Sequence, residues 1–270
     1  MFFVFEFLVL FIIVFIIVYT SSKKEEKNRG YNILSISQDV PYYRGIPVSL
    51  EDAFFVGSLF GLADNISDFI GAMILKWLKE KKIKLVKEND KIYFDMSHYF
   101  KTDEGYERDI YIKLLVASGS NKRLEEHEFA AFFEQDDVVK WLNDMFQEIK
   151  DDYEEKGHFK RKVYGFKYQY YISDELKKKA YQLAGLKKFL KDFSRIHERE
   201  AIEVVLWEDY LIYAQLLGIA DEVEEQMENI YPDFNRITDY KILKASVLTS
   251  LSISLSIVLT SLVGGIGKKK

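Results

Sequence analysis

Apolar positions are distributed very unevenly along the chain. Phe2 to Tyr19 reads FFVFEFLVLFIIVFIIVY, with Glu6 as its one charge. At 1.5 Å per residue, a helix of this length comes close to crossing a hydrocarbon core of about 30 Å. The run has no basic n-region and no small-x-small site after it. An uncleaved anchor over residues 1–20 is therefore expected, not a signal peptide. A second uncharged run, Ala245 to Gly267, lies between Lys244 and the terminal Lys268, Lys269 and Lys270. It is rich in hydroxyls, from Ser246 to Ser261. At 100° per residue these gather on one broad face, opposite Leu248, Leu251, Leu255, Leu259 and Leu262. The tail, residues 241–270, is expected to be a second span or an amphipathic helix in the headgroup plane.

Between the two ends the spacing changes to that of a folded protein. Residues 21–56 contain Pro41 and Pro47 and little periodicity, so they read as an extended linker whose aromatics, Tyr42, Tyr43, Phe54 and Phe55, pack on the domain surface. Phe69, Ile70, Met73, Ile74, Trp77 and Leu78 recur at helical spacing over 67–81, and Asn65 or Ser67 can cap that helix. Alternation over 83–86 and 92–96, with Asn89-Asp90 between, predicts a β-hairpin. A helix over 106–117 follows. The order then repeats, with helices over 125–134 and 137–155, a turn at Lys156-Gly157, and the alternating run KVYGFKYQYYI. Its aromatic row Tyr164, Phe166, Tyr168 and Tyr170 is expected to be the buried side of a sheet. Helices over 173–196, 201–217 and 220–231 close the folded part, with Gly218 at a helix end and Pro232 as the stop.

These elements predict a mainly α fold with small β-hairpins. Two tandem winged-helix-like units, 57–118 and 119–182, precede a helical region over 183–240, and one or two transmembrane helices flank the whole.

Composition sharpens the picture in three ways. First, hydrophobic residues make up 48% of the 270, enough to build a core, and Pro numbers only 3. Second, Cys is absent, which removes disulfides, thiolate metal sites and cysteine nucleophiles. Third, with Glu6 and the five lysines of the last thirty residues set aside, the middle holds 33 basic and 42 acidic residues, a net of −9. That average field repels nucleic acid. Lys23, Lys24, Lys27 and Arg29 follow the first apolar run and no basic residue precedes it. The positive-inside rule then puts the N-terminus outside and the large domain in the cytoplasm, at the cell membrane.

Candidate chemistry is sparse. The four histidines are His98, His127, His158 and His197. His127 in EEHEF and His197 in RIHERE lack the second His one turn away that a zinc protease helix requires, so both are expected on solvated charged faces. There is no G-x-S-x-G elbow, P-loop or G-x-G-x-x-G, and Gly264-Gly265-x-Gly267 sits at a membrane end. No catalytic residue, metal ligand or cofactor is expected. Two basic clusters are candidates for contact with a partner: Lys76, Lys79, Lys81, Lys82 and Lys84 on the first helix and hairpin, and Lys160, Arg161 and Lys162 on the second, with Lys167 beside them. They suit an anionic lipid surface or, against the −9 field, nucleic acid.

The runs Gly185-Leu186-Lys187-x-x-Leu190-x-Asp192-Phe193-Ser194 and Leu206-Trp207-Glu208-x-Tyr210-Leu211-x-Tyr213-Ala214-x-x-Leu217-Gly218 resemble the C-terminal region of the YciQ-like predicted membrane proteins, a bacterial family of unknown function. Gly71 to Leu85 is similar to the helix and hairpin upstream of it, and the resemblance runs roughly from Tyr42 to Tyr231. It implies a membrane protein with a cytoplasmic helical region and supplies no catalytic residues. The family's β-rich outer domain has no counterpart ahead of Phe2, so functions residing there are not expected here. The expected function is a non-enzymatic, membrane-anchored scaffold or interaction module that binds a protein partner or itself. The alternative is a membrane-tethered winged-helix regulator contacting nucleic acid or anionic lipid.

Overall fold

The structure is a computed structural model describing residues 36, 39–63, 65–88, 91–97, 105–133, 135–164, 167–192 and 207–230. Both expected membrane segments, 1–20 and 241–270, lie outside the described residues. So do His98 and His197. Among the described residues no helix is long and apolar enough to cross a membrane.

The fold is mainly helical with small antiparallel sheets. In chain order the elements are α1 (Leu50–Phe60), α2 (Ile66–Lys79), β1 (Lys84–Glu88), β2 (Lys91–Asp95), α3 (Tyr106–Ala117), β3 (Arg123–Glu125), α4 (Glu126–Phe133), α5 (Asp136–Glu155), β4 (Phe159–Tyr164), β5 (Lys167–Ile172), α6 (Asp174–Lys191), α7 (Trp207–Leu216) and α8 (Ala220–Ile230).

The expected linker ends at 56, whereas α1 begins at Leu50, and the structure corrects that boundary. Ser49 caps α1, its hydroxyl accepting the Asp52 N–H at 3.2 Å. Glu51 and Asp52 in the first turn favour the helix dipole. The weak periodicity has a physical reason. Ala53, Phe54, Phe55, Val56, Leu59 and Phe60 are all buried, so α1 is apolar nearly all round. It packs against α2, α5, α6 and α7 and sits at the centre of the core. Gly61, at φ 66°, ends it.

The first hairpin forms where alternation predicts it, with Leu85 opposite Phe94 and Lys84 opposite Asp95. A third strand joins it from further along. β3 pairs with β2 and sets buried Leu124 against buried Phe94. Met96 N–H donates to the Lys122 carbonyl at 2.9 Å, and the Arg123 guanidinium lies over the Tyr93 ring at 4.6 Å. The stretches 57–118 and 119–182 thus share a sheet, and their buried side chains form one core. In the second hairpin Tyr164 pairs with Lys167, and Tyr168 and Tyr170 lie on β5. Phe159 and Ile172 at its base are buried, and Tyr170 stacks on Phe159 at 5.7 Å.

α2 and α7 pack closely, tied at their polar edges by Lys79 to Asp209 at 2.6 Å and by the Gln215 amide donating to Asp68 at 3.0 Å. Gly218 at φ 65° closes α7, and the Ile219 N–H returns to the Ala214 carbonyl at 2.9 Å.

Candidate functional site

The chain before α1 has no regular secondary structure, bends at Gly45 and Val48, and runs as a strap over α6 and α7. One face of α6 meets it through Gly185, Lys188, Phe189 and Asp192, the i, i+3, i+4, i+7 spacing of a helical stripe. Much of the contact is to the strap's main chain. Lys188 Nζ donates to the Val40 carbonyl at 2.9 Å, and the Tyr210 hydroxyl donates to the Arg44 carbonyl at 2.7 Å. The Tyr213 hydroxyl donates to the Val48 carbonyl. Gly185 brings the two backbones together: a Cβ there would lie 2.5 Å from the Pro41 carbonyl oxygen and 3.1 Å from the Tyr43 nitrogen. Phe189 anchors the side chains. Tyr42 meets its ring edge-on at 6.3 Å, and the Arg44 guanidinium lies 5.6 Å from its centroid. Tyr42 also donates its hydroxyl to Asp192 at 3.1 Å. Burial, and then the charges of Glu51, Asp209 and Asp52, push the Tyr213 phenol well up, so it stays a donor.

The first basic cluster is largely committed to the fold. The Glu107 carboxylate accepts from Lys76 at 2.5 Å, from Lys82 at 2.8 Å and from the Trp77 indole at 2.9 Å. Burial alone would push this carboxyl up. Hydrogen bonds from Lys76 and Lys82, the charge of Lys76, and the indole outweigh that, and hold it below its usual range. Lys82 also pairs with Glu80 at 2.6 Å, and Lys79 is taken by Asp209. Lys81 and Lys84 are exposed and make no ion pair among the described residues. Lys81 holds φ 58° at the end of α2, where the Lys82 N–H returns to the Trp77 carbonyl at 2.8 Å. In the second cluster Lys160 and Lys162 are exposed, and Lys160 stands opposite exposed Tyr171. Arg161 pairs with Tyr170 in the strand register. Nothing in the geometry joins the two clusters.

Sequence reasoning missed a second polar assembly, drawn from α1, α5, α6 and the start of β4. The Tyr153 hydroxyl donates to Asp52 at 2.7 Å and accepts from Lys179 at 3.2 Å. Burial, and then the bond to Asp52, push its phenol well up. Lys179 reaches Asp52 at 3.9 Å and Glu175 at 3.7 Å. His158 Nδ1 lies 3.0 Å from the Ser173 hydroxyl, and Nε2 lies 3.8 Å from Glu175. The Ser173 hydroxyl also caps α6 by accepting the Leu176 N–H at 3.1 Å. Serine, histidine and carboxylate are thus adjacent, but the serine oxygen is engaged in holding a helix end. Its chemistry is that of a clasp between elements, and residues 101 positions apart could not be paired by spacing. His127 is exposed on α4, with Glu125 at 3.7 Å. Among the described residues no group of three or more His, Cys, Asp or Glu side chains is placed to hold a metal ion.

The helices that hold the strap coincide with the result of comparison, while the strap itself lies outside the matched residues. No curated protein and no solved structure matches the chain. Residues 163–227, which run from β4 to α8 and include Gly185, Lys188, Phe189, Tyr210 and Tyr213, match the C-terminal domain of a predicted membrane protein family (DUF2207), to which this part of the chain is therefore similar.

Proposed function

We propose that the chain is a non-enzymatic, membrane-anchored interaction module of the YciQ-like type, its large domain facing the cytoplasm and binding another protein. One observation carries this reading. In the part similar to the membrane-protein family, α6 and α7 grip an irregular segment by its carbonyls and aromatic side chains, as an interaction groove does. Supporting it, the best-connected ionisable groups, Glu107 and the Tyr153 assembly, are spent on ties between elements. The experiment is cross-linking in intact cells followed by purification of the full chain from membranes. A discrete partner, or a second copy, is expected. Recovery of the chain alone would refute the reading. Orientation is tested with single cysteines at positions 22, 120 and 270 and a membrane-impermeant thiol reagent. Labelling at 120 from outside would overturn the cytoplasmic placement.

A second reading is a winged-helix-like regulator contacting nucleic acid or anionic lipid. The chain order α3, β3, α4, α5, β4, β5 is what supports it, being helix, strand, two helices and a hairpin, though β3 pairs with β2 and not with that hairpin. The helix before that hairpin, α5, carries eight acidic residues and two lysines, which repel a phosphate backbone. Lipid contact through Lys160, Lys162 and Tyr171 is the better form of this reading. Flotation of the detergent-purified full chain with neutral and anionic vesicles tests it, and equal recovery on both would exclude it.

A further inference from the structure

We propose that strand β1 is a self-association edge, along which two copies of the chain pair antiparallel about Val86 and join their sheets into one. This deepens the interaction-module reading, on which it rests, by making the partner a second copy of this chain.

The sheet order β1-β2-β3 leaves β1, Lys84–Glu88, at an edge, with no strand on its outer side among the described residues. Alternate residues of an edge strand turn their N–H and C=O away from the sheet, toward any extended chain that lies alongside. The opposite edge, β3, is three residues long and runs straight into α4, so it offers no comparable row. Along β1, Lys84, Lys87 and Glu88 are exposed, and Leu85 and Val86 are half-buried. Leu85 packs on the core, so by alternation Lys84, Val86 and Glu88 share the other face of the sheet.

The order of residues along β1 selects its partner. Two identical strands paired antiparallel are related by a two-fold axis, which sets one residue opposite itself. With Val86 in that place, Lys84 of each copy stands opposite Glu88 of the other, and Leu85 stands opposite Lys87. All five residues are then paired, both Lys84 ammonium groups meet a carboxylate, and the two Val86 side chains meet at the centre. Centring on Lys87 would set that ammonium against its own copy. Centring on Leu85 would set Glu88 against Lys82, which Glu107 and Glu80 already hold. Opposite charges directly across a strand pair stabilise it, and like charges destabilise it. Lys84 and Lys87 make no ion pair among the described residues. Glu88 meets Arg123 at 3.2 Å with both side chains about half exposed, so a second cation can reach its carboxylate. Edge lysines also turn away a strand that brings no carboxylate to meet them, which leaves a second β1 as the favoured occupant. Five residues per copy is small for a stable interface, so pairing is weak between dilute chains and strengthens when copies share a membrane or a micelle.

The test uses the full chain in detergent, whose lack of cysteine makes single thiols diagnostic. Opposed residues of antiparallel strands have Cα atoms about 4.5–5.5 Å apart, within reach of a disulfide. Val86→Cys is expected to give a disulfide-linked dimer on mild oxidation. Lys84→Cys and Glu88→Cys are each expected to stay monomeric alone and to cross-link when mixed. Sedimentation of the detergent complex gives a second measurement that needs no thiol. Lys84→Glu and Glu88→Lys should each weaken self-association about ten-fold, and mixing the two should restore it, which misfolded variants could not do. Amide exchange at 84–88 in the wild type should slow as concentration rises, with exchange in α2 unchanged. A monomeric Val86→Cys overturns the pairing, as does equal cross-linking by Lys84→Cys alone, or reversed charges that restore nothing when mixed. If β1 fails these tests while another protein is cross-linked in cells, the edge falls and the interaction reading stands. If β1 pairs in detergent and cells yield the chain alone, the edge stands and the interaction reading falls.

Discussion

Replacing Gly185 with alanine sets two effects of opposite sign against each other. Glycine inside a helix costs about 1 kcal/mol relative to alanine, so on local grounds Gly185→Ala stabilises α6. The added Cβ, however, would lie 2.5 Å from the Pro41 carbonyl oxygen and 3.0 Å from the Tyr43 Cβ. Ordinary carbon-to-oxygen contact begins near 3.3 Å, so the strap must retreat by about 0.8 Å. The neighbouring bond from Lys188 to Val40 is 2.9 Å long and would stretch past hydrogen-bonding range. Losing that bond and part of the Tyr42 contact with Phe189 costs about 1–2 kcal/mol. The two effects nearly cancel in global stability but not locally. Urea unfolding of the full chain should shift by less than about 1 kcal/mol, whereas amide exchange at residues 42–48 should accelerate several-fold. A gain of about 1 kcal/mol with exchange at the strap unchanged would refute the reasoning, because propensity alone would then account for the residue.

Four further expectations follow from the same contacts. Glu107→Gln should destabilise by about 2 kcal/mol at pH 7, since two ammonium groups and an indole lose a charged acceptor. Because the folded carboxyl lies below its usual value, that stability is present above the unfolded pKa and lost as pH falls through the folded one. The gap between wild type and Glu107→Gln in urea titrations should therefore close in acid, and a constant gap would refute this. Ser173→Ala should cost about 1 kcal/mol through the lost cap on α6, read by thermal unfolding. Lys81→Gly should stabilise by roughly 0.5–1 kcal/mol, since glycine holds φ 58° without the penalty that a side chain incurs, and no change in the urea midpoint would count against it. Tyr153 and Tyr213 should resist alkaline titration at 295 nm until the chain unfolds, because burial holds both phenols protonated. Ionisation of every tyrosine near pH 10 in a folded chain would contradict that.

Legibility differed sharply between elements. The helix over Tyr106–Ala117 follows from spacing because it has one buried and one wet face, while the helix ending at Lys79 shows its period in residue type, with Lys76 and Lys79 closing a run that is buried from Phe69 to Leu75. The first turns of α1, up to Val56, read as linker in the sequence because a helix buried on nearly all sides has no polar stripe to set its period. β3 is three residues long, too short for any period, and only the position of β2 makes it a strand. The basic residues around α2 were legible as a cluster, but their fate was not. Glu107 lies 25 positions from Lys82, and its capture of two lysines depends on where α3 packs.

Sequence alone determined the local terms: helix period, the Ser173 cap, the Gly218 stop, the absence of thiol chemistry and the net acidity of the middle. Each depends on neighbours a few residues apart or on simple sums. Tertiary structure decided which groups meet across the chain: the strap with α6 and α7, Asp52 with Tyr153, and Lys79 with Asp209. A hydrogen bond or an ion pair forms only between atoms within a few ångströms, and for residues 101 to 166 positions apart that proximity comes from packing the apolar core as a whole.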